Sequence, residues 1–180
     1  MTTINAYKMD GLGNDFIIID RRESSIDLSK EKIIKLGSRT NIGFDQIIFI
    51  EKEKDNSYPI TIFNSDGGEV SACGNGSRCV AYLLGKNLNT KEIKLKTSNR
   101  ILVAKIIKDF YVELEMGKPL FGSKDIPLSK TIDPGKISLN INNKTFSNGF
   151  SLNVGNPHII FFVEDCFKYD LKFLGPKIEN

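Results

Sequence analysis

One pattern occurs twice in this chain and restricts its fold more than any other feature. Residues 13–19 (GNDFIII) and 155–161 (GNPHIIF) share a Gly-Asn pair, a spacer, an aromatic ring and an apolar run. Residues 36–39 (LGSR) and 174–177 (LGPK) follow them at nearly the same spacing. Gly-Asn turns before strands are common, so chance similarity is the alternative interpretation. A true repeat predicts two structurally related halves, and the second would still be incomplete at residue 180.

Composition excludes disorder and a membrane span. The chain has 180 residues, of which 40% are apolar and 26% charged. Such a chain can bury one core or two small ones without disulfides or metal, and it is too apolar for disorder. Its longest apolar run, residues 159–163, is far shorter than the roughly 20 residues that span a membrane. Since no targeting segment precedes the first strand pattern, we expect a cytoplasmic protein with no membrane partner.

Charge, cysteine and histidine content exclude two further kinds of partner. The net charge is only +3, and lysines and glutamates are interleaved, so nucleic-acid binding is not expected. Cys73, Cys79 and Cys166 fit no metal spacing, and the chain has a single histidine, so no metal site is expected. In the cytosol the three cysteines should be free thiols.

Hydrophobic periodicity predicts strands interrupted by two helices before residue 116. The strands are predicted at 5–8, 16–20, 46–51, 60–64, 92–97, 101–107 and 111–115. Ser29 should cap a helix over 30–38, whose inward face is formed by Ile33, Ile34 and Leu36. A second helix should begin at Gly74, run to about Lys86 and end near Gly85 and the turn over residues 87–90, with a buried stripe formed by Val80, Ala81, Leu83 and Leu84.

A change in composition after residue 115 predicts a domain boundary. Glycine and proline become frequent between residues 117 and 135, which is typical of a linker. We therefore expect two domains, 1–116 and 117–180. The second should contain strands at 136–142, 145–154 and 158–164 and a short helix over 167–174.

Residues 64–78 (NSDGGEVSACGNGSR) carry the strongest chemical signal. Cys73 directly precedes the second predicted helix, and the N-terminus of a helix stabilises negative charge. We therefore expect its thiol to have a pKa below the ordinary value of about 8.5 and to be partly ionised. The surrounding glycines let a ligand carboxylate or oxyanion approach backbone N–H groups. The alternative is a small buried side chain in a glycine-rich turn.

Other polar side chains are less specific. His158 could act as a base for Cys73 or could be a structural histidine at a strand start. Asparagines occupy strand ends or glycine turns at Asn14, Asn64, Asn75 and Asn156, where turn chemistry alone would explain them. Together they could instead bind a zwitterionic ligand, because an amide binds both carboxylate and ammonium groups. Cys79 should pack within its helix, and Cys166 has no assigned role.

At these residues the sequence resembles the diaminopimelate epimerase family. The resemblance rests on five segments in the family's order, namely residues 9–16 (MDGLGNDF), 43–46 (GFDQ), 64–67 (NSDG), 72–79 (ACGNGSRC) and 155–158 (GNPH). It implies an α+β fold of two pseudo-symmetric domains, each a mostly antiparallel sheet wrapped round a central helix, with the ligand between them. The second domain would be incomplete in this chain.

The resemblance also implies an isomerase that interconverts LL- and meso-2,6-diaminopimelate, a step toward lysine and peptidoglycan precursors, without pyridoxal or another cofactor. One cysteine thiolate would remove the α-proton while a second thiol protonates the opposite face. Carried over by position, Cys73 is one catalytic cysteine and His158 tunes the cysteine pKa. The substrate would be bound by Asn14, Gln46, Asn64, Gly74, Asn75 and Asn156. The partner is thus a small molecule, and a homodimer is left open.

The chain departs from the family in one respect. The family's second cysteine lies on a second glycine-rich loop, and the repeat places that loop beyond residue 180. Cys166 is too close to Asn156 to be that residue. The leading hypothesis is therefore a C-terminally truncated epimerase. The alternatives are a hydrolase or transferase with Cys73 as nucleophile and His158 as base, and a truncated paralogue that binds ligand without turnover.

Overall fold

The computed structural model describes residues 5–128, 132–142 and 144–179. The chain divides into two compact units, Met1–Gly117 and Lys118–Asn180. Within the described ranges, no helix is both long enough and apolar enough to cross a membrane.

The first unit is a mixed sheet with two helices. In chain order it forms β1 (Ala6–Gly11), β2 (Asn14–Asp20), α1 (Lys30–Gly37), β3 (Gln46–Ile50), β4 (Tyr58–Asn64), β5 (Glu69–Val70), α2 (Gly74–Leu88), β6 (Glu92–Lys96), β7 (Ile101–Lys108) and β8 (Tyr111–Glu115). The strands lie in the order β1-β2-β3-β4-β6-β7-β8, with β5 paired to β4. The pairs β2–β3 and β4–β6 are parallel, and the other pairs are antiparallel.

Two helical crossovers account for the parallel pairs. Antiparallel strands can be joined by a short turn, whereas parallel strands need a longer connection that is usually a helix. α1 connects β2 to β3, and α2 lies between β4 and β6 in the chain. α2 contacts β1, β2 and β3 as well as β6, β7 and β8, so the sheet surrounds this helix. This is the α+β arrangement that the sequence predicts for the first domain.

The main core lies between α2 and the sheet. Val80, Ala81 and Leu84 of the helix have no exposed surface, and they belong to one cluster with Phe16, Ile18, Ile48, Ile50, Ile60 and Ile62. A second cluster, which includes a residue of α1, is formed by Ile17, Ile19, Ile33, Ile47 and Phe49. Alternate residues of β2 and β3 thus enter different clusters, which explains why these strands are continuously apolar.

The start of α1 is as predicted, but its inward face is narrower. The Ser29 side chain accepts a hydrogen bond from the Lys32 N–H at 3.4 Å. Ile33 is 2% exposed and Leu36 is partly buried, whereas Ile34 is 44% exposed. Successive residues of an α-helix lie about 100° apart, so Ile33 and Ile34 cannot both point straight at the sheet.

The start of α2 at Gly74 is confirmed, and the helix ends two residues after the predicted end at about Lys86, within the predicted turn over residues 87–90. The helix continues to Leu88 and is capped by Asn89 in the left-handed conformation, with φ 51°. Gly85 lies inside the helix, and a Cβ there would lie 2.7 Å from Cδ1 of Ile106. The glycine therefore serves close packing against β7 rather than helix termination.

The second unit contains a three-stranded antiparallel sheet in its described residues. It forms β9 (Ile137–Ile141), β10 (Lys144–Asn153), β11 (Pro157–Ile160) and α3 (Leu171–Glu179). The strand order is β11-β10-β9, and α3 contacts β9. Short 3₁₀ turns cover Ser123–Asp125 and Cys166–Lys168. The strand predicted to reach residue 164 ends at residue 160, and the last helix begins and ends later than predicted.

Candidate active site

Three strand ends meet at one edge of the first unit's sheet. Asn14 is the first residue of β2, Gln46 the first of β3 and Asn64 the last of β4. Since β2 is parallel to β3 and β3 is antiparallel to β4, these ends share one edge, and Gln46 is paired directly with Asn64. The sheet topology therefore brings together three of the predicted binding residues.

In the side-chain amide of Gln46 the nitrogen is hydrogen-bonded and the oxygen is not. Its Nε2 donates to Oδ1 of Asn64 at 2.9 Å. Its Oε1 is buried and has no hydrogen-bond partner among the described residues. A buried acceptor without a partner costs roughly 1–3 kcal/mol. A ligand group that donates to this oxygen, such as an ammonium, would remove that cost.

The thiol of Cys73 lies at the start of α2, against the main core. Cys73 is the N-cap residue, with extended backbone at φ −149° and ψ 106°. Its Sγ accepts a hydrogen bond from the Gly76 N–H at 3.3 Å. Gly76 brings this turn close to the sheet, because a Cβ there would lie 2.5 Å from Cδ1 of Ile48 and 3.3 Å from a ring carbon of Phe16.

Burial raises the pKa of the Cys73 thiol above its ordinary value. The N–H groups of Gly76 and Asn75 and the positive charge of Arg78 lower this pKa, but burial is the largest effect. The lowered pKa predicted from the sequence is therefore wrong in this structure. The sequence shows that a helix begins after Cys73, but the side chains of β2 and β3 that pack there come from distant parts of the chain. At neutral pH the thiol is the stable form.

The first turn of α2 also presents backbone donors. Gly74 and Asn75 occupy the first two helical positions, where N–H groups have no acceptor within the helix. Such N–H groups bind carboxylates and other anions. The predicted binding residue Gly74 is thus placed where a backbone donor is available beside Cys73.

A chain of hydrogen bonds joins α2 to β2 through two amides. Nδ2 of Asn75 donates to Oδ1 of Asn14 at 2.7 Å, and Nδ2 of Asn14 donates to Oδ2 of Asp45 at 3.2 Å. At the other end, a guanidinium N–H of Arg78 donates to Oδ1 of Asn75. The predicted binding residues Asn14 and Asn75 therefore contact each other next to Cys73.

Charged residues that the sequence did not predict as part of the site surround this chain of amides. Asp15 and Asp45 each accept a hydrogen bond from the other's backbone N–H, at 3.2 and 3.0 Å. Arg39 donates to both carboxylates, at distances between 2.5 and 2.9 Å. The hydrogen bond from Arg39 is the largest effect that holds the pKa of Asp15 well below its usual range. The one signal in the sequence was that these acids directly precede or follow predicted binding residues.

The other two cysteines lie in contrasting surroundings. Cys79 is buried in the main core, as predicted, and its Sγ donates to the Asp10 carbonyl at 3.6 Å. Burial raises the pKa of Cys79 to about 11. Cys166 is exposed, in a 3₁₀ turn of the second unit.

The described residues contain no group of three or more His, Cys, Asp and Glu side chains arranged to hold a metal ion.

Asn156 and His158 belong to the second unit. They flank Pro157 at the start of β11, after Gly155, whose φ is 122°. Nδ1 of the exposed His158 ring lies 3.0 Å from the carbonyl oxygen of Asn156. The roles predicted for these two residues, in substrate binding and in tuning a thiol, stay predictions.

Comparison with known sequences points to one family. The family model described as diaminopimelate epimerase matches residues 6–121. A protein named diaminopimelate epimerase from Pelagibacter ubique (strain HTCC1062) is 50% identical over 180 residues, which cover 98% of this chain and 66% of that protein. The protein of the same name from Acidiphilium cryptum (strain JF-5) is 37% identical, with 96% of this chain and 62% of that protein covered. The chain thus spans somewhat less than two thirds of the length of these relatives.

A solved structure shares the fold. A protein described as a predicted epimerase from Pseudomonas aeruginosa superposes with a TM-score of 0.63 at 15% identity, covering 98% of this chain and 67% of that one. At this identity the likeness concerns the fold alone. It agrees with the α+β fold class predicted from the sequence.

Proposed function

This chain belongs to the diaminopimelate epimerase family, and on that basis we propose that it takes part in the interconversion of LL- and meso-2,6-diaminopimelate. The proposed reaction removes the proton of one α-carbon on one face and returns a proton on the other. Both steps are proton transfers, so the chemistry needs no redox or carbonyl cofactor. Family membership of this chain, which spans somewhat less than two thirds of the relatives' length, supports this activity for the whole enzyme.

The placement of one thiol beside convergent amides carries the proposal. Cys73 starts α2, its neighbour Asn75 is hydrogen-bonded to Asn14, and Gln46 and Asn64 are paired at the strand ends of the same sheet. An amino acid brings a carboxylate and an ammonium to such a site. The N–H groups in the first turn of α2 suit the carboxylate, and Oε1 of Gln46, which has no partner among the described residues, suits the ammonium.

The raised pKa of Cys73 supports a proposed role as general acid in the resting site. A protonated thiol is a general acid, so Cys73 Sγ would give its proton to the α-carbon and become the thiolate. A base on the opposite face would take the original α-proton, and the electron pair of that C–H bond would remain on the substrate until Cys73 protonates it. The carboxylate of the intermediate would be stabilised by the fixed N–H dipoles of α2. The reverse reaction exchanges the two roles.

The base must come from another group. Cys79 is buried and its Sγ is bonded to the Asp10 carbonyl, and Cys166 has no glycine-rich loop beside it. We propose that the opposing thiol is supplied from outside residues 1–180, by the same polypeptide or by a partner.

Hydrogen exchange at the α-carbon tests this proposal. The 180-residue chain and LL-diaminopimelate in D₂O should show little exchange by NMR, and a polypeptide carrying a second cysteine loop should restore it. Cys73→Ser should abolish the restored exchange, whereas the matched variant Cys166→Ser should not change it. Diaminopimelate should also protect Cys73 from iodoacetamide. An acyl-enzyme burst with ester substrates, without α-exchange, would contradict epimerisation and favour a cysteine hydrolase.

The domain boundaries, the cellular location and the oligomeric state are also proposals. We expect residues 1–116 and 117–180 to act as the two domains, the protein to work in the cytoplasm, and the full enzyme to form a homodimer. Sedimentation equilibrium at several concentrations tests the last of these, and a concentration-independent monomer mass would contradict it.

A further inference from the structure

The two amides of the candidate site lie in a hydrogen-bond chain whose ends differ chemically. Arg78 at one end can only donate, because a guanidinium has no acceptor. The carboxylate of Asp45 at the other end can only accept. Between them stand Asn75 and Asn14, linked by a 2.7 Å hydrogen bond. All three hydrogen bonds therefore run in one direction, from Arg78 to Asp45.

This direction determines how each amide faces the ligand. An asparagine amide can rotate by half a turn and exchange its oxygen and nitrogen unless its neighbours forbid it. With Arg78 as donor and Asp45 as acceptor, Oδ1 of Asn75 and Nδ2 of Asn14 are each assigned to one partner. Each Nδ2 retains a second N–H for a ligand. The exchanged orientation would place an oxygen against the Asp45 carboxylate, which is repulsive.

Asp45 is itself held in place from three sides. It accepts the Asp15 backbone N–H at 3.2 Å, and its own N–H donates to Oδ1 of Asp15 at 3.0 Å. Arg39 donates to Oδ1 of Asp45 at 2.5 Å and to both oxygens of Asp15. Arg39 binds both carboxylates, Lys8 adds a second positive charge on Asp15 at 2.6 Å, and charge-assisted hydrogen bonds restrain the rotamer of the Asp45 side chain.

We infer that Asp45 and Arg78 are positioning residues that set the orientation of the Asn14 and Asn75 amides, so that both present N–H groups to the substrate. The role in substrate binding rests on the function proposed above, whereas the orientation of the amides does not. Neither Asp45 nor Arg78 needs to touch the substrate for this effect. Linked hydrogen bonds polarise one another, so the loss of either end weakens the whole chain.

Side-chain amide resonances and ligand affinity test the inference separately. In the 180-residue chain labelled with ¹⁵N, the side-chain NH₂ groups of Asn14 and Asn75 should each give one pair of signals, shifted from the random-coil region. Asp45→Asn and Arg78→Met should move or double both pairs of signals. Arg78→Lys, which restores a donor, should return them toward the wild-type positions. Asp109→Asn is the matched control, because Asp109 pairs with Lys86 away from the amides.

Titration with meso-diaminopimelate then measures the consequence. We expect Asp45→Asn and Arg78→Met to weaken binding by about tenfold, as for loss of a charge-assisted hydrogen bond, with Arg78→Lys and Asp109→Asn close to wild type. Unchanged amide signals in Asp45→Asn and Arg78→Met would overturn the inference whatever the affinities. Changed signals with unchanged affinity would also overturn the positioning role. If the amide signals respond as expected, but wild-type chain mixed with the polypeptide that carries the second cysteine loop does not bind diaminopimelate, the amide orientation is supported and the proposed function is contradicted.

Discussion

The two units bury their apolar side chains to very different degrees. In the first, Leu84 of α2 and Ile48 of β3 have no exposed surface. In the second, Ile126 and Ile137 are the only buried apolar side chains among the described residues, and Phe162 and Phe167 are 86% and 95% exposed. Both units contain strands with apolar sequences. In the first unit the sheet surrounds α2, and the apolar side chains between them form a core. Phe162 and Phe167 lie outside the strands of the second unit, and no described residue covers them.

The largest expected contrast is between a buried and an exposed leucine. Leu84→Ala should lower the free energy of unfolding of the first unit by about 2–5 kcal/mol, because it leaves a cavity in a fully buried site. Leu171→Ala in α3, where the side chain is 65% exposed, should change the free energy of unfolding of the second unit by less than about 0.5 kcal/mol. Urea unfolding measures both values, and hydrogen exchange assigns the loss to β2, β3 and β4. Similar losses in both variants would show that the second unit has an equivalent core.

The three thiols extend the comparison to reactivity. Iodoacetamide at pH 8 should label the exposed Cys166 first, the half-buried Cys73 next and the buried Cys79 last. A rise in the pKa of Cys79 from 9.0 to about 11 lowers its thiolate fraction at this pH about a hundredfold relative to an ordinary thiol. Burial also raises the pKa of Cys73, so its labelling rate should keep rising at pH values where an ordinary thiol is already fully ionised. Peptide mass spectrometry measures each rate. If Cys73 reacts fastest at pH 7, the helix N-terminus outweighs burial after all.

Local patterns in the sequence predicted the elements of the first unit well. The strand over residues 111–115, the Ser29 cap and the start of α2 at Gly74 are each confirmed. These features depend on neighbouring residues, so a single sequence contains them. Helix α2 runs two residues past its predicted end at about Lys86, and Gly85 lies inside the helix because it packs against Ile106, which is on a later strand.

The candidate site was predicted only in part, for the same reason. Asn14 and Asn64 could be found from their positions at strand ends, Gln46 was found only through the family resemblance, and the sheet order brings the three together. The hydrogen bond between Asn14 and Asp45 joins the first residue of β2 to the residue before β3, 31 positions later in the chain, and left no local signal. The pKa direction of Cys73 was wrong because desolvation depends on packing that the local sequence does not contain.

Two helical glycines give the next smaller contrast. In Gly76→Ala the new Cβ would lie 2.5 Å from Cδ1 of the fully buried Ile48, so either this side chain or the start of α2 must shift. We expect a loss of about 1–3 kcal/mol in the free energy of unfolding, as for other overpacked sites. Gly175→Ala in α3 meets nothing within 4 Å and should be neutral or stabilise the helix by up to about 1 kcal/mol. Chemical denaturation measures both. A neutral Gly76→Ala variant would show that the start of α2 is loosely packed, and the close approach of Cys73 to the core would be in doubt.

The smallest expected effect is electrostatic and depends on pH. Hydrogen bonds from Arg39 and Lys8 hold the pKa of Asp15 below its unfolded value, so the carboxylate stabilises the folded first unit at pH values above that unfolded pKa. The contribution is lost as the pH falls from the unfolded pKa of about 3.9 toward the folded one. Asp15→Asn should therefore lower the melting temperature by a few degrees at pH 7, and the difference from wild type should shrink below pH 4.

Lys168→Met is the control in the second unit, because its exposed ion pair with Asp165 spans 3.9 Å and should contribute nothing measurable. Calorimetry at pH 3, 5 and 7 decides the outcome. A constant difference between Asp15→Asn and wild type at all three pH values would mean that Asp15 acts through its hydrogen bonds alone and not through its charge.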